Sequence, residues 1–223
     1  ACSGIKLSGS VLSSVRFAQG SRRTASLLTT TMPFFCSART GAAEIDSLKA
    51  QCNSCHGPNG NSPYSDVPTI AGQSSKFIAK QIRSFQLWDR PCAKAEYRSG
   101  ERAGTSADKC QLSGALAPED ISAVADYYSK QTFQPAVQPF DAARAASGAA
   151  LHDQYCETCH AEGGEATGRG PRLAGQWKPY LRATLKFVPT GEHLVPPMME
   201  RRIVDFSAEE INQLLDYYAS QQD

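Results

Sequence analysis

The chain has 223 residues, 41% hydrophobic and 20% charged, with 23 basic and 22 acidic side chains. That composition suits one or two folded domains, and no run of eighteen apolar residues offers a membrane-spanning helix. Residues 1–43 hold five basic residues and no acidic one, leaving 18 basic against 22 acidic in the rest. Such an acidic body is a poor match for nucleic acid, whose phosphates demand basic patches.

In chain order, residues 1–43 come first. "SRR" precedes the moderately apolar "TASLLTTTMPFFCSA" and then small residues, the pattern of a processed leader; a disordered tail is the plainer alternative. Neither enters the fold argument.

"EIDSLKAQC" predicts a short helix leading into "CNSCH", residues 52–56. Cys-x-x-Cys-His is the pattern of c-type haem attachment. Two thiols so spaced at a helix start can each form a thioether to one porphyrin edge, and the adjacent histidine takes the iron axially. A redox dithiol or a zinc site competes. The dithiol has no need of the histidine, and a zinc site would need the distant second copy. Attachment of this kind occurs outside the bacterial cytoplasm, which agrees with an exported, periplasmic protein and permits disulfides.

A glycine-rich loop follows, then an amphipathic helix after "AGQ" in "VPTIAGQSSKFIAKQIRSF", residues 67–85. Cys92 and Cys110 come next, a candidate disulfide that would stabilise the domain by roughly 3 kcal/mol. The copy closes with "LAPEDISAVADYYSKQ", residues 116–131. Its Ile121, Val124, Ala125 and Tyr128 share one helical face. "QTFQPAVQPFD", residues 131–141, reads as an extended linker.

The grammar then repeats. "CETCH" (156–160) answers "CNSCH", "GPRLAGQWKPYLRATLKF" (170–187) answers 67–85, and "FSAEEINQLLDYYASQ" (206–221) answers 116–131. The offset runs 104, 103, then 90, so the second copy is shorter in its latter half. Ser207 with Glu210 predicts a capping box on the last helix. The expected architecture is all-α, two tandem domains at 44–132 and 133–223, each wrapped around one covalent haem. At this size a protein core alone is marginal, and a buried porphyrin would supply apolar surface.

These features resemble the two-domain class I cytochromes c. The segments 127–164, "LAGQWKPYL" and "YYASQQ" resemble more narrowly the dihaem subunit of flavocytochrome c sulfide dehydrogenase; the likeness is tightest over 127–182. The resemblance implies Cys52, Cys55, Cys156 and Cys159 as the haem attachments, His56 and His160 as proximal ligands, and Pro68 and Pro171 beside those histidines. It also implies a distal methionine in the loop before each closing helix. In the second copy Met199, seven residues before Phe206, has the family's spacing; Met198 and His193 are the alternatives, His193 reading otherwise as a surface residue.

In the first copy the corresponding residue is Lys109, and residues 57–151 contain neither methionine nor histidine. The sixth ligand there is Lys109, Cys110, water, or a group from elsewhere such as Met32. A lysine coordinates only when deprotonated, and would give a lower potential than methionine does. The functional expectation is electron transfer, from a sulfide-oxidising flavoprotein subunit on a separate chain to a soluble acceptor. Two alternatives stand beside it: a free shuttle to a terminal oxidase, and a haem enzyme acting on a small sulfur compound at the methionine-less site.

Overall fold

The computed structural model describes residues 41–223, with side chains from residue 44 onward. The leader reading of residues 1–43 and Met32 lie outside the described residues. Arg39–Asp223 forms one compact unit.

The first lobe runs α1 (Gly41–His56), α2 (Ser75–Gln86), β1 (Lys94–Glu96), β2 (Ser106–Asp108), α3 (Lys109–Gly114) and α4 (Pro118–Ser129). The second runs α5 (Ala142–Tyr155), α6 (Lys178–Leu185), α7 (Pro197–Asp205) and α8 (Ala208–Ser220). In the first lobe, Ile78 and Ala79 of α2 pack on Ile121, Val124, Ala125 and Tyr128 of α4, the predicted face. Leu181, Leu214, Leu215 and Tyr218 form the corresponding core of the second. Ser207 accepts from the Glu210 N–H at 3.2 Å while Glu210 accepts from the Ser207 N–H at 2.8 Å, so the capping box is present.

The repeat extends to the backbone. The Gly60 carbonyl accepts from Ile70 and Ala71, and Gly164 does the same for Leu173 and Ala174. Gly72 N–H donates to Tyr128 and Gly175 N–H to Tyr218, each at 2.9 Å, tying the "AGQ" loop to the closing helix. Gly60 and Gly164 have φ of 81° and 93°, and a Cβ at Gly60 would meet the Tyr128 ring at 2.7 Å. In the second lobe Gly148 lets α5 lie directly against the Gln213 carbonyl of α8.

Three features depart from the sequence reading. The short helix ahead of the first pentapeptide carries on through it to His56, whereas α5 stops at Tyr155 with Cys156 as its cap. The residues with no counterpart in the shorter copy build an antiparallel ribbon, Lys94 opposite Asp108 and Glu96 opposite Ser106, on an otherwise helical body. Met198 and Met199 open a helix rather than lying in a loop, with Pro197 at its first position, where a missing N–H costs nothing.

Cys92 and Cys110 are bridged, Cα to Cα 5.5 Å, across the base of the ribbon. That removes Cys110 from the candidate iron ligands. The ribbon lies over the first pentapeptide: Arg98 and Ser99 N–H donate to the Ser54 carbonyl at 2.9 and 3.0 Å. Replacing Cys92 and Cys110 together by alanine is expected to cost about 3 kcal/mol, a fall in Tm of roughly 10 °C by calorimetry.

Candidate haem sites

In each lobe a cysteine pair and a histidine stand at the end of the leading helix, facing the loop that carries the proline. Cys52, Cys55, Cys156 and Cys159 are free thiols, in contrast to the bridged pair. Burial pushes the Cys52 thiol up to about 11, partly offset by the Tyr128 hydroxyl, and it pushes Cys156 up as well, against Tyr218.

His56 Nδ1–H donates to the Pro68 carbonyl at 2.9 Å, and His160 Nδ1–H donates to Pro171 at 3.0 Å. The acceptor fixes the tautomer: Nδ1 carries the proton and Nε2 keeps its lone pair. Burial lowers the His56 pKa to about 4, the Pro68 carbonyl opposes, and the Lys109 charge lowers it further. Burial also lowers His160. Both rings are therefore neutral at neutral pH, the state in which imidazole binds a metal. Gly170 makes room for the second ring, since a Cβ there would stand 2.6 Å from His160 Cε1.

Lys109 is half-buried at the first position of α3, directly after β2. Burial lowers its pKa, and Arg90 adds to that, while Tyr180, Cys55 and Asp66 pull it up. The positive end of the α3 dipole acts in the same direction as Arg90. The Lys109 charge is felt at His56 of the first pentapeptide, and Cys55 of the same pentapeptide acts on it.

In the second lobe α7 buries no residue against protein, although Met199 and Ile203 share one face and Met198 and Val204 add apolar surface. Met199 is half-buried and Met198 is 71% exposed. α7 crosses the end of α5: Arg202 lies over the Tyr155 ring at 4.9 Å and Phe206 stacks edge-on against it at 5.5 Å. His193 is half-buried against Thr184, Arg90 and Lys80, and burial brings its pKa to about 4. It is half-buried, where an exposed surface residue was expected.

The donor set and its surroundings fit a covalent haem in each lobe. In each lobe two free thiols and a neutral imidazole stand in one pentapeptide, whose first cysteine, Cys52 or Cys156, packs against the lobe's apolar core.

Sequence reasoning missed two groups near these sites. Tyr180 of the second lobe reaches the Lys109 side: burial raises its phenol, but Arg90 and Lys109 outweigh that and hold it below its ordinary value. His152, wholly buried, sits where the first lobe has Leu48. Its Nε2–H donates to Glu157 at 2.8 Å and its Nδ1 pairs with the Tyr218 hydroxyl at 2.9 Å. The first lobe has Tyr128 bonded to Asn53 instead. The departure of His152 from an apolar repeat position was the available signal.

The fold and the paired sites define a dihaem class I cytochrome c, an electron-transfer protein carrying two covalently attached haem c groups. Over 159 residues the chain is 31% identical to cytochrome c4 of Stutzerimonas stutzeri, covering 65% of this chain and 71% of that one. The reduced recombinant cytochrome c4 of Pseudomonas stutzeri superposes with a TM-score of 0.63 at 26% identity, over 81% of this chain and 98% of that one. A protein of Thiomonas intermedia named "Thiosulfate dehydrogenase electron acceptor" is 29% identical over 161 residues, 67% of each chain. Residues 143–217 also match the family described as cytochrome c oxidase, cbb3-type, subunit III. This chain belongs to the cytochrome c4 family.

Glu157 supplies a pH test. His152 first, then the Glu162 and Gly163 N–H groups, hold its carboxyl below the ordinary value of 4.5. A depressed carboxylate stabilises the fold above its unfolded pKa, and that stabilisation is lost as pH falls through the folded value. Glu157→Gln is therefore expected to flatten the fall of Tm with pH below 4.5 while leaving the neutral haem spectrum unchanged.

Proposed function

We propose that this chain takes electrons from a separate periplasmic chain that oxidises an inorganic sulfur compound, and passes them to a soluble acceptor. One haem belongs to each lobe, 44–132 and 133–223. Cys52 and Cys55 anchor the first and Cys156 and Cys159 the second. His56 and His160 are the proximal ligands, Met199 the distal ligand of the second site and Lys109 that of the first.

Bound haem supplies a one-electron iron couple. The protein's own residues do the rest. The thioether cysteines hold the macrocycle, and the Pro68 and Pro171 carbonyls retain the Nδ1 protons, so each imidazole presents Nε2 in a fixed plane. α7 would cover the second site, and the disulfide-tied ribbon, bonded to Ser54, would cover the first. Lysine at one distal position and methionine at the other separate the two potentials, since methionine raises the potential and an amine lowers it.

The observation that carries the sulfur reading is the likeness, over two thirds of each chain, to a protein named as the electron acceptor of thiosulfate dehydrogenase. The tighter resemblance of residues 127–182 to the dihaem subunit of flavocytochrome c sulfide dehydrogenase supports a flavoprotein as donor. No helix among the described residues is long and apolar enough to cross a membrane. A second reading, a free shuttle to a terminal oxidase, draws on the match of residues 143–217 to the cbb3-type oxidase subunit III family.

Stopped-flow mixing of the oxidised protein with a sulfide-oxidising flavoprotein plus sulfide, and with thiosulfate dehydrogenase plus thiosulfate, tests the donor. Fast haem reduction by the flavoprotein supports the proposal in full, and fast reduction by the second enzyme alone keeps the sulfur role and rejects the flavin. Reduction by neither, with fast oxidation by a terminal oxidase, selects the shuttle. For Lys109, the expected outcome of Lys109→Ala is conversion of one low-spin ferric EPR signal to a high-spin or water-ligated one; an unchanged spectrum rejects lysine ligation.

A further inference from the structure

The two "AGQ" loops do more than lead into helices. Gln73 and Gln176 are 3% and 2% exposed, and each side chain crosses into the other lobe. Gln176 Oε1 accepts from the Thr69 N–H at 3.0 Å while its Nε2 donates to the Thr69 carbonyl at 2.9 Å. Gln73 does the same for Arg172, accepting at 2.9 Å and donating at 3.0 Å. Thr69 and Arg172 occupy equivalent places in the repeat, so the pairs are related by the same pseudo-twofold relation as the lobes.

The residues grasped are not arbitrary. The Thr69 N–H belongs to the same peptide group as the Pro68 carbonyl, which accepts from His56 Nδ1. The Arg172 N–H shares its peptide group with the Pro171 carbonyl, which accepts from His160 Nδ1. Each chain of bonds therefore runs from a glutamine oxygen in one lobe, through a single amide, to the histidine of the other. An amide whose N–H is engaged carries more negative charge on its oxygen, and successive hydrogen bonds polarise one another by ~10–30%. A stronger acceptor at Pro68 draws the Nδ1 proton, makes the imidazole more electron-rich, and favours the oxidised metal.

We propose that Gln176 and Gln73 are crossed positioning residues, each lowering the reduction potential of the haem in the other lobe through the peptide that holds its proximal histidine. This rests on the reading of His56 and His160 as iron ligands. The two arms differ in one respect: Gln176 Oε1 also accepts from the Trp177 N–H at 3.1 Å, so part of its capacity is spent within its own lobe.

The test is redox titration of the holoprotein followed by NMR, with haem and His Nδ1–H signals assigned to each lobe by histidine ¹⁵N labelling. Gln176→Leu is expected to raise the first haem's potential by up to about tenfold in the electron distribution, ~59 mV for one electron, and to leave the second unmoved. The His56 Nδ1–H resonance should move upfield as its hydrogen bond weakens. Gln73→Leu should likewise raise the second haem's potential, move the His160 Nδ1–H resonance upfield and leave the first haem unmoved. If a leucine variant does not fold, Gln176→Asn and Gln73→Asn shorten the arm by one methylene and keep it polar, with the same crossed shifts expected. Shifts in the glutamine's own lobe, equal shifts in both haems, or none would overturn the proposal. His56→Gly separates this from the reading beneath it: if the first haem keeps its low-spin spectrum without His56, the ligand assignment has failed, whatever the glutamines do.

Discussion

A histidine that is to bind iron through one nitrogen must dispose of the proton on the other, and much of this protein is arranged around that requirement. The acceptor is a backbone carbonyl, Pro68 or Pro171, at 2.9 and 3.0 Å. A carbonyl in a loop is only as fixed as the loop. Here one end is bound to the glycine at which the chain doubles back, Gly60 or Gly164, and the other to the closing helix through Gly72 or Gly175. The tyrosines of that helix, Tyr128 and Tyr218, pack beside the same glycines. Helix, loop and histidine thus form one mechanical unit, present twice. Because each unit also takes a glutamine from its twin, the lobes are joined in part through the groups that hold the imidazoles.

Against that shared frame the lobes have diverged where a donor atom or a wall is set. The first has a ribbon and a disulfide beside its pentapeptide, with Lys109 directly after the second strand; the second has α7, which carries Met199. The first places Leu48 and Asn53 behind its pentapeptide, the second a buried His152 bonded to Glu157 and Tyr218. Two sites built on one plan but set in different surroundings suit an electron carrier, in which a difference of potential between the sites gives transfer a direction.

The sequence revealed what depends on local spacing. The two Cys-x-x-Cys-His pentapeptides, the apolar faces of α4 and α8 and the Ser207–Glu210 box all follow from residue types at short, fixed separations, whereas Cys92 and Cys110 read only as a candidate pair and the fold bridges them. Tertiary geometry hid the rest. Met198 and Met199 looked like loop residues because two prolines precede them, yet Pro197 begins a helix there. The ribbon of residues 94–108 has strands of three residues, too short for a readable alternation. His193 looked exposed because the Arg90 and Lys80 charges that act on it lie in the first lobe, far away in sequence. The glutamines of the "AGQ" loops were legible as a repeat but not as a crossed pair, since each partner lies about a hundred residues away.

The account stands on two macrocycles held covalently by Cys52, Cys55, Cys156 and Cys159. Intact-mass spectrometry of the mature protein under denaturing conditions tests that directly. The polypeptide mass plus two haems, surviving acidified organic solvent, is the result it requires. A chain that carries one haem or none, or that sheds haem into the solvent, would contradict it.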